Sequence, residues 1–285
     1  MKKTSTRVYE ILTGPQPGKR LMSRILWATS VCNLFIFEVD GVKYRFFPSS
    51  MSAEMWSGRK YLTDEIFLTT RLIEQMKKRD GLIVDVGANI GVFSLAIASK
   101  FKSFRYLAIE PHPRIFDFLK KNIKRNKLAI RPLNLAIGSE NCDVGITTKH
   151  ADDMNQIYKI EVLQKNSIEM TTLDSLIDEN IEILKIDVEG MEKKVLDGAE
   201  LVLRKTNNVI IEVDSENYKQ YGYEVHEVLA QLSNAGFELV GIHRSLAGKI
   251  KLTYPLNLSN ARGENVLATR MQSDQVTEFI NRVCQ

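Results

Sequence analysis

Cysteine and long apolar runs are both scarce in this sequence of 285 residues. The three cysteines, Cys32, Cys142 and Cys284, are widely spaced, which indicates neither a disulfide framework nor a zinc site. The longest apolar stretch, residues 25–37, is short of the roughly 20 residues that cross a bilayer, so no transmembrane helix is expected. The basic N-terminus precedes no clean secretory signal, so the sequence predicts a cytoplasmic location.

The excess of positive over negative charge is also small, since the formal net charge is +4. It is concentrated at the front: residues 1–80 hold 14 Lys and Arg against 8 Asp and Glu. A basic front can meet a phosphate-bearing or membrane-surface partner, but this excess is weak for a nucleic-acid-binding module. Apolar residues at 44% and charged residues at 26% are ordinary for a globular protein. The composition indicates an enzyme-sized globular chain and gives no sign of its oligomeric state.

The first sixty residues differ in pattern from the rest. Two aromatic and β-branched runs, residues 34–39 and 42–47, flank Asp40-Gly41, which predicts a β-hairpin. We therefore expect an N-terminal extension over residues 1–60, basic and aromatic, that acts as a lid or acceptor-recognition element. Residues 61–285 are expected to form the main domain.

Short apolar runs alternate with helical segments in that domain. The pattern predicts strands at 82–86, 104–109, 130–136, 183–187 and 209–213, and helices at 64–78, 92–101, 113–126, 173–177, 193–203 and 225–235. Such alternation is typical of an α/β fold with a mostly parallel sheet and helices on both faces. Two final strands, 237–243 and 266–270, are separated only by a polar loop and are expected to pair antiparallel. A polar, hairpin-like insertion is predicted at 139–170.

The first strand ends in a glycine turn that predicts a ligand site. Asp85, Gly87, Asn89 and Gly91 form the pattern D-x-G-x-x-x-G between the strand and the next helix. Asn89 stands where the dinucleotide fingerprint requires glycine. A carboxylate at position 85 would repel a pyrophosphate but suits an ammonium group. The turn therefore favours S-adenosylmethionine over NAD.

An acidic residue also ends the second strand. Glu110 follows Asp85 by 25 positions, where a carboxylate can accept hydrogen bonds from both hydroxyls of a ribose. The glycine turn, this carboxylate and the strand–helix alternation together indicate a nucleotide-type cofactor.

The chain resembles class I S-adenosylmethionine-dependent methyltransferases, and specifically the FkbM family, over about residues 62–245. The residues that carry the resemblance are Asp85 to Gly91, Glu110-Pro111, Asn134-x-Ala136, Leu184 to Glu192, and Val195-Leu196-x-Gly198-Ala199. Ile186-Asp187-Val188-Glu189-Gly190 is the most specific of these segments. The resemblance implies a Rossmann-like, seven-stranded sheet of order 3-2-1-4-5-7-6 with strand 7 antiparallel.

The same resemblance assigns the cofactor site. It implies that Asp85, Gly87, Asn89 and Gly91 hold the methionine end of S-adenosylmethionine and that Glu110 binds its ribose. Asn134 or the backbone around Ala136 would lie near the adenine, and Asp187 would face the sulfonium and the acceptor. The implied activity is O-methylation of a carbohydrate or another hydroxylated metabolite.

Three carboxylates are candidates for the general base that an aliphatic hydroxyl acceptor needs. Asp187, Glu189 and Glu212 all fall at or just past the carboxyl ends of predicted strands. Asp187 is the first choice, whereas Glu189 could cap the following helix and Glu212 could form a structural ion pair. No metal ligands are assigned, although Asp187 and Asp214 at neighbouring strand ends leave metal assistance open.

Two other functions stay open at this point. The basic front and the shared cofactor fold allow an RNA methyltransferase, but no Asn-Pro-Pro-Tyr-type segment follows the fourth strand. A binding module that keeps the fold without the chemistry is the other alternative. The intact Asp85, Gly87, Gly91 and Glu110 argue against it.

Overall fold

The computed structural model describes residues 36–45, 64–146, 157–159, 167–244, 250–257 and 264–283. Buried apolar runs of the sequence form the strands of its large sheet, and the N-terminal hairpin and a smaller sheet contain the other strands. The strands are β1 (Ile36–Val39), β2 (Val42–Arg45), β3 (Leu82–Val86), β4 (Arg105–Ile109), β5 (Ile130–Leu133), β6 (Ala136–Ile137), β7 (Cys142–Ile146), β8 (Ile157–Lys159), β9 (Ile168–Thr171), β10 (Ile181–Ile186), β11 (Thr206–Val213), β12 (Glu238–Arg244), β13 (Ile250–Thr253) and β14 (Glu264–Thr269). The helices are α1 (Asp64–Gln75), α2 (Val92–Lys100), α3 (Pro113–Asn126), α4 (Leu173–Leu176), α5 (Glu192–Asp197), α6 (Glu200–Arg204), α7 (Ser215–Lys219), α8 (Val225–Asn234) and α9 (Ser273–Val283).

The large sheet is mainly parallel and carries helices on both faces. Its order is β13-β12-β14-β11-β10-β3-β4-β5. The neighbours β11-β10-β3-β4-β5 are parallel, and β14 pairs antiparallel with both β11 and β12. One face packs against α4, α5, α6 and α8, and the other against α1, α2, α3 and α9. This is the Rossmann-like α/β class that the alternation predicted.

Three details of the sequence-based expectation were wrong. The sheet has eight strands rather than seven, because Ile250–Thr253, expected in a polar loop, pairs with β12 as β13. The strand expected at 130–136 ends at Leu133, since the Asn134 amide donates to the carbonyls of Glu110 and Pro111 and turns the chain. The single helix expected at 193–203 is two helices, α5 and α6, because Gly198 ends the first.

The insertion at 139–170 forms a second, smaller sheet. Within its described residues β7 pairs antiparallel with β8 and β9, and β6 pairs parallel with β9. The hairpin-like character expected there is confirmed for these strands. The small sheet packs Val144, Ile168 and Met170 against Met191, which sets it beside the loop that follows β10. No helix in the described ranges is long and apolar enough to cross a bilayer.

The predicted N-terminal hairpin is present as β1 and β2. Its turn residues Asp40 and Gly41 have φ values of 49° and 80°, as a tight two-residue hairpin turn requires. Val42 and Tyr44 are buried in the core that α2 and α3 share. The described part of residues 1–60 is thus packed on the main domain, and the boundary near residue 60 stays a prediction.

Two asparagines of α3 bind the backbone of β2 as a neighbouring strand would. The Asn122 Oδ1 accepts from the amide of Arg45 (2.6 Å), and its Nδ2 donates to the carbonyls of Arg45 (2.8 Å) and Ile90 (2.9 Å). One turn later, Asn126 makes the same pair of bonds to the amide and carbonyl of Lys43. The hairpin is therefore fixed to α3 through peptide groups.

We expect Asn122→Ala to lower the free energy of unfolding by about 3 kcal/mol, because it removes the side chain that satisfies the partly buried peptide groups of Arg45 and the buried carbonyl of Ile90. Urea unfolding followed by circular dichroism measures the change. Asn126→Ala is the matched control: its bonds to Lys43 are exposed, so water replaces them and the expected loss is about 1 kcal/mol. Equal losses in the two variants would contradict this account.

Candidate active site

A cleft lies at the carboxyl ends of β3, β4 and β10, where parallel sheets of this kind place their ligands. It encloses about 680 Å³ of empty space, counted with the solvent at its mouth. The lining residues come from the loops after these strands, from α3 and from the small sheet: Val86, Gly87, Asn89, Ile109, Glu110, Pro111, Ile115, Leu135, Ile137, Ile146, Asp187, Val188 and Glu189. We call the part lined by Ile115, Leu135, Ile137 and Ile146 the apolar end, and the part after β10 lined by Asp187 and Glu189 the acidic end.

The glycine turn after β3 is held against two neighbouring strands. The amides of Gly87 and Ala88 donate to the carbonyl of Ile109, and the amide of Asp187 donates to the carbonyl of Val86. Gly87 (φ 80°) and Asn89 (φ 51°) both adopt left-handed conformations, and both line the cleft. Their predicted contact with the cofactor fits this position and stays a prediction.

Gly91 lies behind the cleft instead of in its lining. Its φ is 94°, and a Cβ there would fall 2.3 Å from the Leu95 Cδ1 and 2.7 Å from the Leu119 Cδ1. A side chain at this position would therefore overlap the core that joins α2 to α3. This glycine shapes the start of α2, whatever it contributes to the cofactor.

Glu110 lines the cleft and is buried, with 6% of its surface exposed. Its Oε2 accepts from the amide of Asn89 (2.9 Å) and its Oε1 accepts from the amide of His112 (2.8 Å). These bonds join the turn after β3 to the turn after β4. The predicted contact of this carboxylate with ribose hydroxyls fits its place in the lining and stays a prediction.

Asn134 and Ala136 lie behind the apolar end of the cleft. The Asn134 amide braces the carbonyls of Glu110 and Pro111, and Ala136 is fully buried against the small sheet. Their neighbours Leu135 and Ile137 line the cleft in their place. The predicted proximity of Asn134 or the backbone around Ala136 to the adenine fits this position and stays a prediction.

Asp85 is not among the residues that line the cleft. Its side chain is 1% exposed, its Oδ2 accepts from the Ser94 hydroxyl (2.6 Å), and its Oδ1 lies 3.7 Å from the Lys185 Nζ. Burial raises the pKa of this carboxyl, while Lys185 and the Ser94 hydroxyl act against that rise. The expected contact between Asp85 and the cofactor ammonium stays a prediction.

The three candidate bases meet at the acidic end. Asp187 and Glu189 line the cleft directly after β10, and Glu212, near the end of β11, forms a side-chain hydrogen bond with Asp187. The Lys185 Nζ donates to the Asp187 Oδ2 at 2.9 Å. Asn217 donates to the Glu189 Oε2 at 3.4 Å. The structure therefore brings together Asp187 and Glu212 as a pair, with Glu189 on the same rim.

Asp187 and Glu212 differ in their protonation. Burial alone would raise the pKa of Asp187, but the Lys185 ammonium lowers it below the usual range. The negative charge of Asp187 raises the pKa of Glu212 to about 10. The two carboxylates titrate as a pair in which Asp187 ionises first, so Asp187 is the better candidate base.

Glu189 has a strained backbone. Its φ is 53°, a left-handed conformation that costs a residue with a side chain about 1 kcal/mol relative to glycine. We expect Glu189→Gly to raise the free energy of unfolding by about 1 kcal/mol and to weaken cofactor binding or turnover, since the cleft loses a carboxylate. Thermal unfolding and calorimetric titration with S-adenosylmethionine measure the two effects.

Lys127→Gly is the matched control for Glu189→Gly. Lys127 has a φ of 54° at the C-terminus of α3, and it does not line the cleft. Its replacement should stabilise the protein by a similar amount and leave cofactor binding unchanged. A destabilised Glu189→Gly variant would mean that the glutamate side chain makes contacts that outweigh its backbone strain.

Two residues of the acidic end were missed by the sequence reasoning. Lys185 has 4% of its surface exposed, and Glu65, at the start of α1, interacts electrostatically with both Lys185 and Glu212. A lysine inside the apolar run of β10 was the available signal, because lysine is almost never buried unless it is paired. Nothing in the sequence pairs Glu65 with β10, since that proximity arises from the packing of α1.

The lining chemistry fits S-adenosylmethionine. Among the described residues that line the cleft there are three carboxylates, Glu110, Asp187 and Glu189, and neither lysine nor arginine. This charge suits a ligand with a sulfonium and an ammonium and opposes a pyrophosphate. The apolar side chains at the other end, Ile115, Leu135, Ile137 and Ile146, suit its adenine.

Comparison with known proteins gives a consistent result. The model of the methyltransferase FkbM domain matches residues 85–239. The hexuronic acid methyltransferase AglP of Haloferax volcanii is 28% identical over 204 residues, which are 70% of this chain and 80% of that protein. Methyltransferase sdnD of Sordaria araneosa is 27% identical over 195 residues, covering 55% of this chain and 73% of its own. A crystal structure of a methyltransferase FkbM from Methylobacillus flagellatus has a TM-score of 0.44 and 17% identity, covering 68% of this chain and 45% of that one.

Proposed function

This chain belongs to the FkbM methyltransferase family, and on that premise we propose that it transfers a methyl group from S-adenosylmethionine to a hydroxyl oxygen of a carbohydrate or another hydroxylated metabolite. The observation that carries the proposal is the Asp187 carboxylate, which lines the cleft and is kept ionised by Lys185. Such a base is what an aliphatic hydroxyl needs, because the neutral hydroxyl is a poor nucleophile.

Each end of the cleft has a separate task in the proposed mechanism. The apolar wall and Glu110 hold the adenosine part of the cofactor, and the turn at Gly87 and Asn89 leaves room for its methionine part. When bound, S-adenosylmethionine supplies an electrophilic methyl group on a sulfonium sulfur. Asp187 would take the proton of the acceptor hydroxyl as the acceptor oxygen forms its bond to the methyl carbon, while the bond between that carbon and the sulfonium sulfur breaks and leaves S-adenosylhomocysteine. Glu212 hydrogen-bonds to Asp187, which keeps that carboxylate oriented.

The acceptor class follows from the relatives and from this base. AglP is named a hexuronic acid methyltransferase, so an acidic sugar is a known acceptor type in a related protein. In this chain the Asp187 base favours a hydroxyl acceptor, because a carboxylate acceptor is already a nucleophile and needs no base. We further propose that residues 1–60 take part in acceptor recognition, because the β2 backbone is fixed beside Ile90, in the turn that leads into α2.

The experiment is a transfer assay with S-adenosylmethionine labelled in its methyl group. Methyl glucoside, methyl glucuronide and a short RNA are offered in parallel. We expect label on the sugars in a form that resists mild base, because ethers survive conditions that hydrolyse methyl esters. Base-labile label on the glucuronide would mean that a carboxylate is the acceptor, and label on RNA alone would favour the RNA alternative; either result overturns the hydroxyl proposal.

A further inference from the structure

The acidic end of the cleft is organised around one buried cation. We propose that Lys185 is a positioning residue that keeps the Asp187 carboxylate ionised and directed into the cleft, and that Asp85 holds Lys185 in place, a proposal that rests on the methyl transfer proposed above. In this assignment Asp85, which the sequence placed on the cofactor, holds the lysine instead.

The strand register brings these residues together. Lys185 of β10 is the direct partner of Asp85 on the parallel neighbour β3, so their side chains project from the same face of the sheet. The Lys185 Nζ lies 2.9 Å from the Asp187 Oδ2 and 3.7 Å from the Asp85 Oδ1. The Ser94 hydroxyl, donating to the other Asp85 oxygen, and the Phe93 ring, 5.8 Å from the Nζ, complete the surroundings of the ammonium.

Because Lys185 is buried, its ammonium depends on the carboxylates that lie around it. The side chains of Lys185 and Asp85 are 5% and 1% exposed, whereas that of Asp187 is 27% exposed. A buried ammonium is stable only with counter-ions. Lys185 forms ion pairs with Asp85 and Asp187, and of these two carboxylates Asp187 lines the cleft, so Asp85 fixes the lysine while Asp187 is presented to a ligand.

Other carboxylates lie around this cluster, and one of them, Glu212, supports the ionisation of Asp187 through its hydrogen bond. They come from β11, from α1 and from the segment after β10, and they are Glu212, Glu65, Glu189 and Glu192. Burial lowers the pKa of Lys185, but Asp187, Asp85 and Glu65 more than reverse that effect, so the ammonium stays charged. Lys185 is therefore the positive charge that allows Asp187 to stay ionised among so many acids.

The test is a titration of the full-length protein without acceptor, with the side-chain carboxyl carbons of aspartate labelled for NMR and the Asp187 signal assigned from its loss in Asp187→Asn. In Lys185→Met we expect the pKa of Asp187 to rise by about two pH units, because the neighbouring cation is lost. In Asp85→Asn we expect a smaller shift downward, since a repelling charge is removed while the lysine stays. An Asp187 pKa that moves by less than about half a pH unit in Lys185→Met overturns the proposal.

Unfolding of Lys185→Met is a foreseeable result, because it leaves Asp85 buried without a counter-ion. The double variant Lys185→Met/Asp85→Asn removes both charges, and its Asp187 pKa should still exceed that of Asp85→Asn alone. Lys185→Arg keeps the charge and should restore a low Asp187 pKa. A purely structural role for Lys185 predicts no such pattern in folded variants and would overturn the proposal.

Calorimetric titration with S-adenosylmethionine separates the two assignments of Asp85. We expect Asp85→Asn to change the dissociation constant by less than about threefold, because Asp85 does not line the cleft. A loss of more than about tenfold would return Asp85 to the cofactor site and overturn its positioning role. Shifted titrations without methyl transfer to any sugar would leave the positioning role standing and reject the proposed function.

Discussion

We expect Gly87→Ala, which adds a single methyl group, to disrupt the backbone contact between the turn after β3 and the end of β10. In Gly87→Ala the new Cβ would stand 1.8 Å from the carbonyl oxygen of Asp187 and 2.8 Å from its carbonyl carbon. Neither backbone atom can move away without separating β3 from β10 and breaking the bond from the Asp187 amide to the Val86 carbonyl. We expect a loss of about 3 kcal/mol or more in the free energy of unfolding. Any protein that folds should bind S-adenosylmethionine at least about tenfold more weakly.

Two effects contribute to this loss of stability: the steric overlap of the new Cβ, and the cost of placing alanine in the left-handed conformation of Gly87. A control variant is needed to separate them. Gly222→Ala does so, because Gly222 has nearly the same φ (77° against 80°) but nothing within 4 Å of the position of its Cβ. It should cost only the conformational part, about 1 kcal/mol. Chemical denaturation of both variants gives the comparison. If Gly87→Ala is no less stable than Gly222→Ala, the close contact with Asp187 is not a constraint on the fold.

Asp187→Asn should have the largest effect on turnover. The amide has nearly the same shape but cannot take a proton, so kcat should fall by about 10²- to 10⁴-fold, the usual contribution of a general base. Affinity for S-adenosylmethionine should change much less, because most of the cleft lining is untouched. Steady-state kinetics of labelled-methyl transfer and calorimetric titration measure the two quantities separately.

Asp197→Asn is the matched control for Asp187→Asn. Asp197 also pairs with a lysine, Lys193, and its side chain is exposed to a similar degree, 29% against 27%, but it does not line the cleft. Its replacement should leave kcat within about twofold of the starting protein. Undiminished turnover in Asp187→Asn would remove Asp187 from the mechanism and leave Glu212 and Glu189 as candidates.

Local signals in the sequence were sufficient for the sheet, the hairpin and the position of the cleft. Asp40-Gly41 needs no distant contact to specify its turn, and the buried run of β3 followed by Gly87 predicts both a strand and a close backbone approach. The edge strand β13 was missed because its four residues alternate weakly within a polar stretch. Sequence patterns describe single elements well when each is long or strongly periodic.

The site was only partly predictable for a different reason. The Asp187 and Glu189 positions follow from the end of a recognisable strand, but the pairing of Lys185 with Asp85 depends on the register between two strands nearly a hundred residues apart in sequence. The same holds for the link between Glu65 and Glu212, which depends on how α1 packs. The sequence identifies the acidic residues, but only the tertiary structure shows that Asp85 and Asp187 lie against the Lys185 ammonium.

The contacts that Asn122 and Asn126 of α3 make with β2 also affect how freely the sequence of the hairpin can change in evolution. Because Asn122 and Asn126 hold peptide groups of Arg45 and Lys43, the side chains that point outward from the hairpin are free to vary without loss of its attachment. Selection can therefore alter the outer surface of the hairpin while two amides retain its placement. If the hairpin takes part in acceptor recognition, as proposed above, grafting hairpins between homologues that keep these two asparagines should change acceptor preference on an unchanged cofactor domain.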